Sequence, residues 1–178
     1  PLRGYKTEAY EGGHREPFIV RWPKVVKPGS VRDQLVHQAD VLATFAEILE
    51  TPLPADAGED SFSFLSVLKG GEGPTREHAV SCAANGVPAI RLGAWKLILA
   101  SDPSRPAGPP VQLYDLSKDL GETTNLAAER PEQVIRMKAL YDQLVEEGRS
   151  TPGPKRQNDV PVIRFPKSAA RPAAKKPT

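Results

Sequence analysis

The sequence predicts an α/β chain whose C-terminal half is a small four-stranded antiparallel sheet packed on one helix. Three observations carry that prediction. Short β-forming segments follow one another between His78 and Leu116, tight-turn residues separate them, and an amphipathic pattern of helical period begins at Pro131. A length of 178 residues allows one substantial core or two small ones.

The elements read in order as follows. PFIVRW, residues 17–22, is a short apolar run between prolines and predicts a buried strand. DVLATFAEILE places Val41, Leu42, Phe45, Ile48 and Leu49 on one face of a helix over residues 40–50, with Asp40 as its N-cap and Pro52 and Pro54 ending it. Phe62, Leu65 and Leu68 suggest one short apolar turn closing at Gly70. HAVSCA, VPAIR and WKLILA form a meander through an Asn85-Gly86 turn and a Leu92-Gly93-Ala94 turn. SDPSRPAGPP is a loop, and VQLYDL is the fourth strand. The helix from Pro131 carries Val134, Met137, Tyr141, Leu144 and Val145 at core spacing and ends at Gly148.

Composition narrows the class. No apolar run approaches the ~20 residues of a membrane-spanning helix, and no basic segment followed by an apolar stretch is visible within these 178 residues, which says little about what precedes them. The single cysteine, Cys82, excludes an internal disulfide framework and a cysteine-rich zinc site; VSCAANG reads as a half-buried strand cysteine with an ordinary thiol. The net charge of +2 is uneven, because residues 154–178 hold seven Lys/Arg against Asp159. That Pro/Ala-rich basic stretch predicts a disordered tail rather than a nucleic-acid surface.

Chemistry points to the opening segment, GYKTEAYEGGHREP. Lys6, Glu8, Glu11, His14, Arg15 and Glu16 cluster there around Gly12-Gly13, directly ahead of an apolar run. A lysine on a glycine-flanked turn can hold a phosphate or sulfate oxygen by a charge-assisted hydrogen bond. Arg15 could bind an anion or pair with Glu11 or Glu16, and His14 could be a ligand, a base or a packing residue. Gly12-Gly13 would let the backbone pass close to a ligand or another strand. No serine or cysteine nucleophile with an evident base, no histidine-rich metal motif and no GxxxxGKS loop is present. The residues alone therefore support an anion-contacting loop on an α/β scaffold.

GYKTEAYEGGHREPFIVRWP resembles the GxK…EGGxRxPxIxxWP segment of the sulfatases, the arylsulfatase branch of the alkaline-phosphatase-like superfamily. The likeness continues through DQLVHQADVLATFAEI, LPADAGEDSFSFLSVLKG, AIRLGAWKLIL and LYDLSKDLGETTNLA, over residues 2–153. The combination of EGGxR, RxGxWKL and LYDLxxDxxExxNL is more specific than any one motif. Departures are Ala43 and Ser66 at positions where prolines are common, and His14 where relatives often have a small or apolar residue.

The resemblance implies the C-terminal portion of an alkaline-phosphatase-like sulfatase fold. Residues 1–70 would end the large α/β domain, 71–153 would form the sheet-plus-helix subdomain, and 154–178 the tail. It implies a sulfuric ester hydrolase acting on a sulfated small molecule or polysaccharide, without nucleic acid or a membrane span, in a periplasmic or extracellular location. Lys6 would contact the sulfate oxygens, and His14 and Arg15 would lie in the active-site loop. The formylglycine nucleophile and the calcium ligands would both lie in a part of the enzyme upstream of this segment, so the chain alone is expected to be inactive. Two alternatives remain: a truncated, non-catalytic anion- or partner-binding module, and a phosphoester hydrolase of the same superfamily.

Overall fold

The computed structural model describes residues 2–99 and 110–162. Three short or medium helices precede the sheet: α1 (Glu11–His14), α2 (Asp40–Ile48) and α3 (Leu65–Leu68). Strands β1 (His78–Cys82), β2 (Pro88–Leu92), β3 (Trp95–Ile98) and β4 (Gln112–Asp115) follow, and α4 (Pro131–Glu147) closes the fold. The strands pair antiparallel in sequence order, as the alternation and turn residues predict. Gly86 and Gly93 take φ of 82° and 57° in the two tight connections, the left-handed conformation that glycine adopts without a Cβ penalty. The predicted loop over residues 101–110 lies almost entirely outside the described residues.

Register gives each sheet face its task. Ile90, Leu97 and Leu113 lie side by side across β2, β3 and β4. They join Met137 and Tyr141 of α4 in one core, with Val134, Leu144 and Val145 packed at its edge. The predicted α4 stripe is thus the sheet's cover. Gly148 ends the helix at φ 65° with its N–H on the Leu144 carbonyl. The opposite face carries Ala89, Ile98 and Tyr114, and there the cover is the N-terminal segment, through Ala9 and Tyr10.

Four expectations are corrected. Residues 17–22 form no strand: Pro17 and Pro23 lack ladder donors, no described strand lies beside the segment, and Ile19 is 89% exposed. Asp40 is not the N-cap of α2. Ala39 holds that position, and Asp40, the first helical residue, turns its carboxylate inward to the His37 and Phe62 N–H groups and the Arg76 guanidinium. The front of the predicted tail is docked: Arg156 N–H donates to Glu147 O at 2.8 Å, and Asn158 Nδ2 donates to Val145 O at 3.2 Å. Residues 163–178 lie outside the described residues. Cys82, expected half-buried, is exposed at the end of β1, and such desolvation as its thiol experiences pushes its pKa up.

Helix α2 is amphipathic but turned outward. Leu42, Phe45 and Leu49 of the predicted apolar stripe are exposed, whereas Asp40 and Thr44 are buried. With Phe18 and Ile19 also exposed, this end of the molecule presents unburied apolar surface of a kind that favours association. A Leu42→Lys/Phe45→Glu double variant is therefore expected to keep its stability within about 0.5 kcal/mol per site while reducing self-association. Light scattering alongside a denaturant titration measures both, and a clear loss of stability would show that the stripe is buried within the chain.

Candidate active-site loop

The segment from Arg3 to Arg15 is a closed loop. Gly12 N–H donates to Arg3 O at 2.7 Å across its base, and Gly13 N–H donates to Tyr10 O. A Cβ on Gly12 would stand 2.4 Å from Gly4 O, and one on Gly13 would stand 2.1 Å from Glu8 O, so only glycine fits at either position. The Gly-Gly pair thus serves a close approach of the loop's own backbone.

At the tip, Glu8 N–H donates to Tyr5 O, and Tyr5 N–H donates to Glu8 Oε2 at 3.1 Å. This tight turn leaves Lys6 exposed to solvent. Thr7 O accepts the Ala84 N–H at 2.9 Å, tying the turn to the β1–β2 connection. Thr7 has φ 92°, a strained value for a β-branched residue. Thr7→Gly is expected to stabilise the chain by up to about 1 kcal/mol, since relief of ~1–2 kcal/mol of left-handed strain exceeds glycine's extra chain entropy. The denaturation midpoint checks this, and a loss of stability would mean that the turn is unstrained.

Below the tip the loop is anchored by buried charge. Glu11 forms an ion pair with Lys96 of β3 at 3.0 Å, and Lys96 Nζ also lies 2.8 Å from Glu122 Oε1. Lys96 and Glu122 side chains are 1% and 0% exposed. The second Glu122 oxygen accepts the Glu11 N–H at 2.6 Å, and the Glu122 carbonyl accepts from Arg3 Nη1 at 2.6 Å. Arg3 also donates to the Tyr114 hydroxyl and lies over the Tyr10 ring, 4.0 Å from its centroid. The Tyr10 and Tyr114 hydroxyls both donate to Gln112 Oε1. Burial raises the Glu11 pKa, but hydrogen bonding to His14 and the charge of Lys96 outweigh it, leaving the carboxyl at about 2. Burial, followed by smaller effects, pushes the Tyr114 hydroxyl up to about 12, so it stays neutral.

The predicted site residues therefore separate. Lys6 is presented at the tip. His14 and Arg15 turn back toward Glu11, at 3.4 and 3.5 Å, so the ion-pair alternative for Arg15 is the one observed. Lys96 and Glu122 were missed, although a lysine inside the apolar run WKLIL was a visible signal. Among the described residues no group of three or more His, Cys, Asp or Glu could hold a metal ion.

A family model described as N-sulphoglucosamine sulphohydrolase, C-terminal, matches residues 5–150. The chain belongs to the sulfatases. An N-acetylgalactosamine-6-O-sulfatase of Bacteroides thetaiotaomicron is 40% identical over 156 residues, which make up 80% of this chain and 29% of the relative. Human arylsulfatase A is 34% identical over 164 residues, covering 78% of this chain and 32% of that enzyme. A solved structure from work on glycosaminoglycan metabolism by Bacteroides thetaiotaomicron superposes with a TM-score of 0.72 at 39% identity, over 80% of this chain and 31% of that one. This sulfatase chain thus spans about a third of the length of the relatives it matches. Its α/β fold, with the four-stranded sheet and C-terminal helix, is that of the sulfatase C-terminal region.

Proposed function

We propose that this chain supplies the C-terminal part of a sulfuric ester hydrolase and that Lys6 is its contact to the sulfate group. The observation that carries the reading is the loop: an exposed lysine on a strained tight turn, held to the sheet by a buried ion cluster. As the ester S–O bond breaks, negative charge develops on the sulfuryl and leaving-group oxygens, and a fixed ammonium stabilises it. The exposed apolar stripe of α2 fits the same reading as surface that the rest of the enzyme would cover.

In this reading the nucleophile, a formylglycine, and the calcium ligands belong to sequence outside residues 1–178, and the substrate is a sulfated saccharide or other sulfate ester. The residues of this chain bind and orient the anion. The glycosaminoglycan setting of the solved relative favours a sulfated polysaccharide over a small aryl sulfate. An exported location follows from the same reading.

The test is the reading frame ahead of the Pro1 codon, followed by assay of its full product on a chromogenic aryl sulfate and on sulfated oligosaccharides. A C/S-x-P-S-R motif with upstream aspartates and hydrolysis of one of these esters is expected. A stop codon close upstream would overturn the proposal in favour of a non-catalytic anion-binding module. Preference for phosphate over sulfate esters would favour a phosphoester hydrolase instead.

A further inference from the structure

We infer that Lys96 and Glu122 are positioning residues for anion capture: their buried ion cluster with Glu11 fixes the loop whose tip presents Lys6. The inference rests on the sulfate-contacting reading of Lys6 and extends it to residues on the far side of the loop.

Each cluster member comes from a different segment. Glu11 lies in α1 at the loop's base, Lys96 in the middle of β3, and Glu122 in the connection after β4. Lys96 stands next to Tyr114 in register, on the sheet face that the loop covers. Glu122 holds the loop at both ends: its carboxylate takes the Glu11 N–H, and its carbonyl takes the Arg3 guanidinium. Its φ of 52° is the left-handed value, which a non-glycine residue rarely takes. Arg3 and Gly12 close the loop between these attachments.

A lysine buried under a loop is an expensive way to fill space, since an apolar residue of similar volume often gives equal or greater stability. What the ion cluster adds is direction. Lys96 attracts the Glu11 carboxylate, Glu122 orients the Glu11 N–H, and the two together leave the backbone from Arg3 to Gly12 little freedom. A sulfate-contacting ammonium on a long, flexible side chain needs its backbone fixed, because each disordered degree of freedom weakens the capture.

The experiment uses the whole 178-residue chain with inorganic sulfate as the probe. Affinity is read from the amide shifts of Lys6, Thr7 and Glu8, and loop docking from hydrogen exchange at Glu11 and Gly12. Removing Lys96 alone would leave the buried Glu122 carboxylate without its cation and Glu11 with only His14 and Arg15, so the decisive variant is the neutral triple Glu11→Gln/Lys96→Met/Glu122→Gln, with Lys6→Ala beside it. In the triple variant, amides of β1–β4 are expected to keep their protection, while Glu11 and Gly12 exchange about tenfold faster and sulfate Kd rises about tenfold. Lys6→Ala is expected to weaken sulfate equally without changing exchange in the loop.

Undiminished sulfate affinity in the triple variant, with affinity lost in Lys6→Ala, would overturn the positioning inference and leave the Lys6 reading intact. Unchanged affinity in Lys6→Ala, or no sulfate binding by the parent chain, would overturn both. If the triple variant loses its sheet, Glu122→Gln alone supplies the readout. An increase of about threefold or more in both Kd and Glu11 exchange supports the inference, and no change overturns it.

Discussion

Lys96→Met is expected to destabilise the chain by about 3–5 kcal/mol near neutral pH, the usual cost of removing one partner from a buried ion pair. The Glu11 and Glu122 carboxylates would then face each other with neither solvent nor a central cation between them. In the parent chain the Glu11 pKa is lowered from 4.5 to about 2. The stabilisation this shift reflects is present in full above the unfolded-state value near 4.5 and is lost as pH falls toward 2. In the variant the Glu11 carboxyl keeps its hydrogen bond to His14 but loses Lys96, so its pKa is lowered less. The loss of stability between pH 4.5 and about 2 is therefore shallower than in the parent. Denaturant titrations of parent and variant across this range measure the effect. A gap that stays constant with pH would mean that Lys96 acts by packing alone.

Asp40→Ala is the second large expected loss, again about 3–5 kcal/mol. Arg76 Nη1 lies 2.8 Å from Asp40 Oδ1, with both side chains almost wholly buried. The same carboxylate accepts the N–H groups of His37 and Phe62, at 2.7 and 2.9 Å. The alanine variant would leave the Arg76 charge buried and two backbone donors unsatisfied. Arg76 would keep its bond to His78 O and its place over the Phe62 ring, which limits the loss without removing it. His37 and His78 are both held below the ordinary histidine value, first by burial and then by Arg76, so neither imidazole is a ready replacement counterion. Thermal and denaturant unfolding of Asp40→Ala would check the figure, and a loss under about 1 kcal/mol would show that the pair is effectively solvated.

The sheet and α4 were legible in the sequence because their signals are local. Asn85-Gly86, Gly93 and the α4 apolar stripe each specify structure within a few residues. PFIVRW failed for the opposite reason: β-forming residues make a strand only where a neighbouring strand supplies the ladder, and no described strand lies beside Phe18 or Ile19. The α2 stripe was legible as a pattern, and its exposed face is what a segment ending a larger α/β domain is expected to show; Asp40, on the other side, is drawn inward by Arg76, 36 residues away. The site was half legible. Lys6 and the Gly12-Gly13 pair stood out by residue type and spacing. The anchor beneath them joins Lys96 to a glutamate 85 residues distant, and no local pattern announces such a pairing. His14 and Arg15 were legible as charged neighbours, and their turn back toward Glu11 follows the i,i+3 and i,i+4 spacing of one helical turn.

The proposed sulfate contact of Lys6 is tested by the steady-state kinetics of Lys6→Ala in the full-length gene product, on the best sulfate ester found for the parent. A kcat lower by about 10²–10³ with stability unchanged is the expected result, the usual cost of losing one fixed donor to a developing oxyanion. Unchanged kcat and KM would contradict the claim and make the Lys6 turn a structural feature without a part in the chemistry.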